Sequence, residues 1–277
     1  MEYSYSTFTT TRNFTYSYVH NKPADIRSSY DWRHQTFCFK QKGYGIVVPD
    51  LLGYRVTSKP LDVGALSRFA LAYDSVVDVS RGSFLLSRLA NNFPDLFMNF
   101  AFVGAGETIQ FVNISAQEAM GFGIWGYLLF FDENAAELMG LNLGKEYMGA
   151  TGGMRKWLNG KNLAKREEWL EPEVMAYDHR IFARETGGYA AALNWCRAQL
   201  HNINAEDEKA IPEANYILDQ PVLLIRTDNF ISATADMATQ MKATALKLEV
   251  KKVKGSHWVM LQRKLELNEI MCLFVDH

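Results

Sequence analysis

The rhythm of hydrophobic and polar positions divides the chain into three parts. In the first, residues 5–19 alternate loosely among Thr, Tyr, Phe and Ser, a period of two that predicts paired antiparallel strands turning near Arg12 and Asn13. Tyr44 to Pro49 (YGIVVP) is a continuous β-branched run, as expected of a strand buried on both faces. Asp50 to Pro60 reads as a loop. Ser75 to Ser80 (SVVDVS) predicts another strand, Gly82 a tight turn, and Ser83 to Asn92 a helix. Phe100 to Gly104 is a further short strand.

From residue 107 to 213 the period changes to a helical one, with apolar faces over Gln117 to Met120, Ala135 to Met139, Met154 to Leu158 and Tyr189 to Leu200. The chain then returns to strands and helices in alternation. Gln220 to Arg226 (QPVLLIR) predicts a buried strand, Ala233 to Ala245 a helix, Leu246 to Val253 a strand and Leu267 to Val275 a closing helix. This order argues for a parallel α/β sheet with an inserted helical block. The division is 1–106 for the first part of the core, 107–213 for the insertion and 214–277 for the second part of the core.

Composition narrows the picture. A chain of 277 residues, 48% hydrophobic, can bury one sizeable core. Its formal net charge of -2 gives no reason to expect a nucleic-acid or acidic-membrane partner. The basic cluster Lys247 to Lys254 is interrupted by Leu248, Val250 and Val253 and reads as a half-exposed strand. Three cysteines, Cys38, Cys196 and Cys272, without CxxC spacing indicate neither a disulfide framework nor a zinc site. A reducing compartment is the default for such usage. The opening Met-Glu-Tyr-Ser-Tyr does not read as a signal peptide. No apolar run reaches the roughly 18 residues that span a bilayer, and Gly121 to Phe131 reads as a buried helix or lid segment. The expectation is a cytoplasmic protein with no cofactor and no metal.

Longer motifs carry a resemblance. Tyr30-Asp31-Trp32-Arg33-His34-Gln35, Gly43 to Tyr54 (GYGIVVPDLLGY) and Lys59-Pro60 resemble fungal soluble epoxide hydrolases of the α/β-hydrolase superfamily. Gly82 to Asn91 (GSFLLSRLAN) resembles the helix after their nucleophile. Gly126 to Phe131, Leu193-Asn194-Trp195, Asn202 to Asn204, Glu206 to Pro212 and Gly255 to Val259 (GSHWV) extend the likeness over most of the chain. The resemblance implies an α/β-hydrolase fold, with a mostly parallel sheet flanked by helices and a helical cap. It also implies a pocket for a small apolar substrate or ligand between sheet and cap. The family mechanism uses an Asp that opens the epoxide and forms an ester, and a His, oriented by a carboxylate, that activates water. Two cap tyrosines bind the epoxide oxygen, and an HGxP loop helps to stabilise the oxyanion.

Carried onto this sequence, His257 matches the general base, Asp228 the orienting acid and Tyr127 one cap tyrosine. The bland readings are a packing His, a loop-capping Asp and a buried aromatic. Four features depart from the family. Ser80 stands in the nucleophile's place, within Asp78-Val79-Ser80-Arg81-Gly82. A serine that opened an epoxide would form an ether, which His-activated water does not cleave as it cleaves an ester. Ser80, Asp228 and His257 follow the chain order of α/β-hydrolase esterases, but D-x-S-x-G puts Asp78 where a Gly usually permits the elbow. Ser80 is thus either a nucleophile or an inert serine in a former active site. Cys196 replaces the second cap tyrosine and reads as a packing cysteine. The central strand and HGxP loop are missing, with His20-Asn21-Lys22-Pro23 only a superficial HxxP. The stretches Lys59 to Val76 and Leu141 to Gly153 are short. Missed coding segments would produce such a pattern, which sequencing the full transcript tests.

Two classes of function follow. One is an epoxide hydrolase-like enzyme, weak, with Ser80, His257, Asp228 and Tyr127 favouring an ester or lactone over an epoxide. The other is a non-catalytic relic or small-molecule binder; a lyase or cyclase using His257 and Asp228 is a third reading. No feature sets the oligomeric state.

Overall fold

The computed structural model describes residues 5–20, 30–54, 57–62, 75–79, 81–104, 130, 152–160, 168–183, 187–228 and 237–276. Strands β1 (Tyr5–Thr9) and β2 (Thr15–His20) pair antiparallel, Tyr5 opposite Val19. The turn falls where the alternation broke, with Asn13 in the left-handed region (φ 61°) and its N–H donating to the Thr10 carbonyl. Asn is among the few side chains that tolerate that conformation. Helix α1 (Arg33–Gln41) leads to β3 (Val47–Pro49), which pairs antiparallel with β2. The expected strand was longer and buried on both faces. It is three residues long and half-buried, because among the described residues β2 is its only strand partner.

The second sheet is parallel throughout. Its strands are β4 (Ser75–Val79), β5 (Asn99–Val103), β6 (Leu218–Arg226) and β7 (Ala245–Lys252), in that spatial order. Helix α2 (Arg81–Asn92) follows β4 directly. Alternation on β5 and β6 divides their side chains between two cores. Phe100, Phe102, Val222 and Leu224 face Leu86, Leu89 and Ala90 of α2. Ala101, Val103, Leu223 and Ile225 face Val259, Met260, Leu267 and Met271, with Trp32 and Phe39 packed against that side. The architecture is therefore helix, sheet, helix. Among the described residues no strand joins β3 to β4, and the strands form two sheets, one of three and one of four; the segments where a central strand was expected to be missing, 21–29 and 63–74, lie outside the described residues.

Between β5 and β6 the described α-helices are α3 (Gly153–Asn159), α4 (Pro172–Ile181), α5 (Asn194–Leu200) and the single turn α6 (Ala205–Glu208). The expected helix over Tyr189 to Leu200 begins at Asn194. Gly187 and Gly188 hold positive φ (94° and 57°), and residues 187–193 form turns. Phe130 is buried beneath the Arg155 guanidinium, 5.5 Å from its ring centre. The helical stretches expected at 117–120 and 135–139, and the shortened stretches before Val76 and before Gly153, lie largely outside the described residues.

Helix α7 (Met237–Met241) precedes β7, and Ala245, expected in that helix, opens the strand. Most of β7 is exposed, including Lys247, Lys251 and Lys252. Helices α8 (Val259–Gln262) and α9 (Lys264–Val275) close the chain. No helix among the described residues is long and apolar enough to cross a membrane.

Side-chain contacts tie α1 to this closing pair. Gln35 Nε2 donates to the Met260 carbonyl (3.2 Å) and Asn268 Nδ2 to the His34 carbonyl (3.2 Å). Tyr44 O–H donates to Asp276 Oδ1 (2.6 Å), and the Lys42 ammonium pairs with the same carboxylate.

Two predictions follow from these contacts. Burial first, then the charges of Arg33 and Lys264, lower the His34 pKa to about 4, against a smaller opposing effect of Glu171. The folded state thus holds fewer protons there than the unfolded chain, whose His titrates near about 6.5. His34 contributes stability above that unfolded value and loses it as pH falls toward 4. Urea unfolding at pH 7 and pH 5 is expected to show lower stability at pH 5, and His34→Gln a smaller difference. Gly53 holds φ 88°, and a Cβ there would lie 2.8 Å from the Ala191 backbone. Gly53→Ala is expected to destabilise by more than about 2 kcal/mol in the same assay.

Candidate functional site

Parallel pairing aligns the strand ends. Val79 stands opposite Val103, Val103 opposite Ile225, and Ile225 opposite Lys251. These four residues form one row at the carboxyl edge of the sheet, the edge where open α/β sheets bind their ligands. Position 80 is the next residue after this row on β4. Asp228 follows three residues beyond the row on β6, and His257 six beyond it on β7. Strand spacing sets the scale: β4 to β6 spans about 10 Å and β4 to β7 about 14 Å, so the β6 and β7 loops must lean back toward β4 to meet a shared substrate.

A backbone hydrogen bond brings those two loops together. The Asp228 N–H donates to the Gly255 carbonyl at 2.8 Å. The Asp228 carboxylate lies 3.3 Å from the Lys252 ammonium, and both side chains are well exposed. An exposed pair of this kind contributes about 0–1 kcal/mol, too little to hold the carboxylate in one orientation. His257 is half-buried and meets the edge of Trp258, ring centres 5.2 Å apart.

The loop carrying His257 is fastened from helix α8 and the residue after it. Ser256 N–H donates to Gln262 Oε1 (2.6 Å), and Arg263 Nε donates to the Lys254 carbonyl (2.8 Å). Gly255 makes the close approach possible, since a Cβ there would sit 3.1 Å from Val259 Cγ2 and 3.3 Å from Gln262 Oε1. Gln262 and Arg263 escaped notice in the sequence. They bear no catalytic chemistry, and only their spacing from Gly255 points to them.

A second set of contacts joins the loop after β3 to the residues around α5. Ser17 Oγ donates to Asp50 Oδ2 (2.8 Å), both residues fully buried, and fixes the loop after β3 to β2. Trp195 Nε1 donates to the Leu52 carbonyl (2.8 Å) and Asn194 Nδ2 to the Pro60 carbonyl (2.9 Å). Tyr54 meets Phe182 edge-on at 5.9 Å, and Phe182 stacks on Tyr189 at 4.3 Å. Helix α5 and the residues before it thus rest on this loop. Cys196 is completely buried in α5.

Of the residues singled out in the sequence, the structure brings the backbones around Asp228 and His257 together. Ser80 and Tyr127 lie outside the described residues, as do Asn21, Lys22 and Pro23 of the HxxP stretch. Among the described residues, no group of three or more His, Cys, Asp or Glu could hold a metal ion.

Fold and strand-edge geometry define the class: the chain has the α/β-hydrolase fold. Its likeness lies with the epoxide-hydrolase branch of that superfamily. The chain is 24% identical over 298 positions to the epoxide hydrolase srdG of Neurospora crassa, covering 90% of this chain and 83% of that one. That stretch is longer than the 277 residues here, so the Neurospora protein holds internal sequence absent from this chain. Among solved structures it resembles a Vigna radiata epoxide hydrolase mutant (TM-score 0.75, 18% identity, 99% of both chains). It also resembles epoxide hydrolase A from Mycobacterium thermoresistibile (TM-score 0.74, 17% identity, 99% of this chain and 98% of that one). No protein-family model matches the chain.

The fastening of the His257 loop can be checked. Gln262→Ala leaves the Ser256 N–H without its acceptor, a loss of about 1–2 kcal/mol. Hydrogen exchange at residues 255–258 is expected to speed up roughly tenfold, and Gln262→Glu, which keeps an acceptor oxygen, to restore most of the protection.

Proposed function

We propose that the chain is an epoxide hydrolase-like α/β hydrolase acting on a small apolar ester or lactone. The observation that carries this reading is the aligned row of strand ends, from which positions 80, 228 and 257 all follow on one edge. The hydrogen bond between Asp228 and Gly255, which draws the second and third of these loops together, supports it.

In this reading His257 takes the proton from Ser80 Oγ, and the oxygen attacks the substrate carbonyl to give an acyl-enzyme. The proton passes from His257 to the leaving alcohol oxygen as the substrate's ester C–O bond breaks. His257 then deprotonates water, which cleaves the acyl-enzyme and regenerates Ser80. Asp228 orients the imidazole and balances its charge during transfer. Tyr127 donates a hydrogen bond from the cap. An epoxide is a poor substrate because its ring-opening by serine ends at a stable ether. The reaction is slow because the HGxP loop is missing and oxyanion donors commonly contribute 10²–10³-fold each, by about 3–4 kcal/mol.

Treatment with a serine-directed fluorophosphonate, followed by peptide mapping, tests this assignment. Ser80 is expected to carry the adduct, and His257→Ala to slow its formation by about 10²–10⁴-fold. A folded protein that takes no label at Ser80 would instead be a small-molecule binder. A lyase or cyclase would form product without solvent oxygen when turnover is run in heavy-oxygen water.

A further inference from the structure

Two of the three cysteines, 234 positions apart in sequence, meet in space. Cys38 on α1 and Cys272 on α9 hold their sulfurs 3.3 Å apart. Both are reduced in this structure. A disulfide requires about 2.05 Å, so a further approach of about 1.2 Å between side chains on two packed helices would close the bond. We propose that Cys38 and Cys272 form a reversible redox clasp that locks α1 onto the C-terminal helix when the protein meets a hydroperoxide. This inference does not depend on the proposed hydrolase chemistry.

The two thiols are not equivalent. Cys38 is half-buried, whereas Cys272 is 3% exposed, so an oxidant reaches Cys38 first. Burial, then the hydrogen bond with Cys38, pushes the Cys272 thiol up to about 11, against an opposing effect of Lys42. It therefore stays protonated at neutral pH, which leaves the first attack to Cys38. In the first step the Cys38 sulfur attacks a peroxide oxygen. An S–O bond forms, the O–O bond breaks and water leaves. In the second, Cys272 loses its proton and attacks the Cys38 sulfur. The S–S bond forms, the S–O bond breaks and a second water leaves. Two thiols and one hydrogen peroxide thus give one disulfide and two waters. A dithiol reductant returns both thiols.

The contacts around the pair already align the two helices. Lys42 and Tyr44, just beyond α1, both bind Asp276 at the end of α9. Asn268, one turn before Cys272, holds the His34 carbonyl, one turn before Cys38. The clasp would close a loop of more than two hundred residues, and long loops restrain the unfolded chain most. Oxidation therefore acts on the stability of the whole fold.

The test uses the full chain. Purified protein is treated with hydrogen peroxide, denatured, alkylated and mapped by peptide mass spectrometry, with a thermal melt run in parallel. The expected results are a Cys38–Cys272 linked peptide short of two hydrogens, alkylated Cys196, and a Tm raised by roughly 5–10 °C that dithiothreitol reverses. Cys38→Ser and Cys272→Ser should each abolish linkage and Tm shift, and Cys196→Ser should keep both. The wild-type map alone decides if a variant fails to fold. The proposal is overturned if folded, peroxide-treated protein leaves both thiols alkylatable, or carries Cys38 sulfinic acid beside reduced Cys272. Linkage to Cys196 or between molecules overturns it as well.

Discussion

The parallel pairing of β5 with β6, covered on both faces, is the constraint from which the other parts take their places. Each strand alternates its side chains into two separate cores, so neither can slip by one residue without exchanging them. That fixed register carries outward to β4 and β7. It decides that the chain leaves three of the four strands at one edge with candidate residues following. Helices on either side supply the burial that makes the register costly to change, through Leu86 and Leu89 on one side and Met260 and Leu267 on the other.

Around this unit the remainder is attached by apolar packing together with specific polar links. The antiparallel sheet reaches the parallel one by way of α1, whose side chains bind α8 and α9. Helix α5 is held to the loop after β3 through the indole of Trp195 and the amide of Asn194. Both attachments use backbone carbonyls as acceptors, which fix where a segment sits, and both add apolar packing, through Trp32 and Phe39 beside and on α1 and through Leu52 and Tyr16 clustered with Ala198 of α5.

Much of the core was legible in the sequence because β-branched runs such as VLLI at Val222 to Ile225 leave little choice of element. The turn at Asn13 and the helix over Ser83 to Asn92 were legible for the same local reasons, although that helix begins at Arg81 and takes in Gly82, which read as a turn. Two misjudgements share a cause. The strand at Tyr44 to Pro49 read as buried because its residues are apolar, but its burial depends on a neighbour that the sequence does not place beside it. The apolar spacing from Tyr189 looks helical, but residues 189–193 continue the turns begun at Gly187 and Gly188, and their place depends on the loop they rest on. Cys38 and Cys272 have no spacing signal, since their meeting depends on how α1 folds back onto α9. At the candidate site, Asp228 and His257 were visible by resemblance, whereas Gln262 and Arg263 work only through the loop they fasten.

The exposed lysines of β7 have a consequence for how molecules of this protein meet one another. An outer strand presents a row of backbone donors and acceptors that another chain could extend. Lys247, Lys251 and Lys252 line β7 beside Glu249, with Lys251 paired to Glu249 and Lys252 to Asp228, so the strand is charged along much of its length. Charged side chains of this kind make a poor template for strand-by-strand growth, and among the described residues the parallel sheet ends with β7.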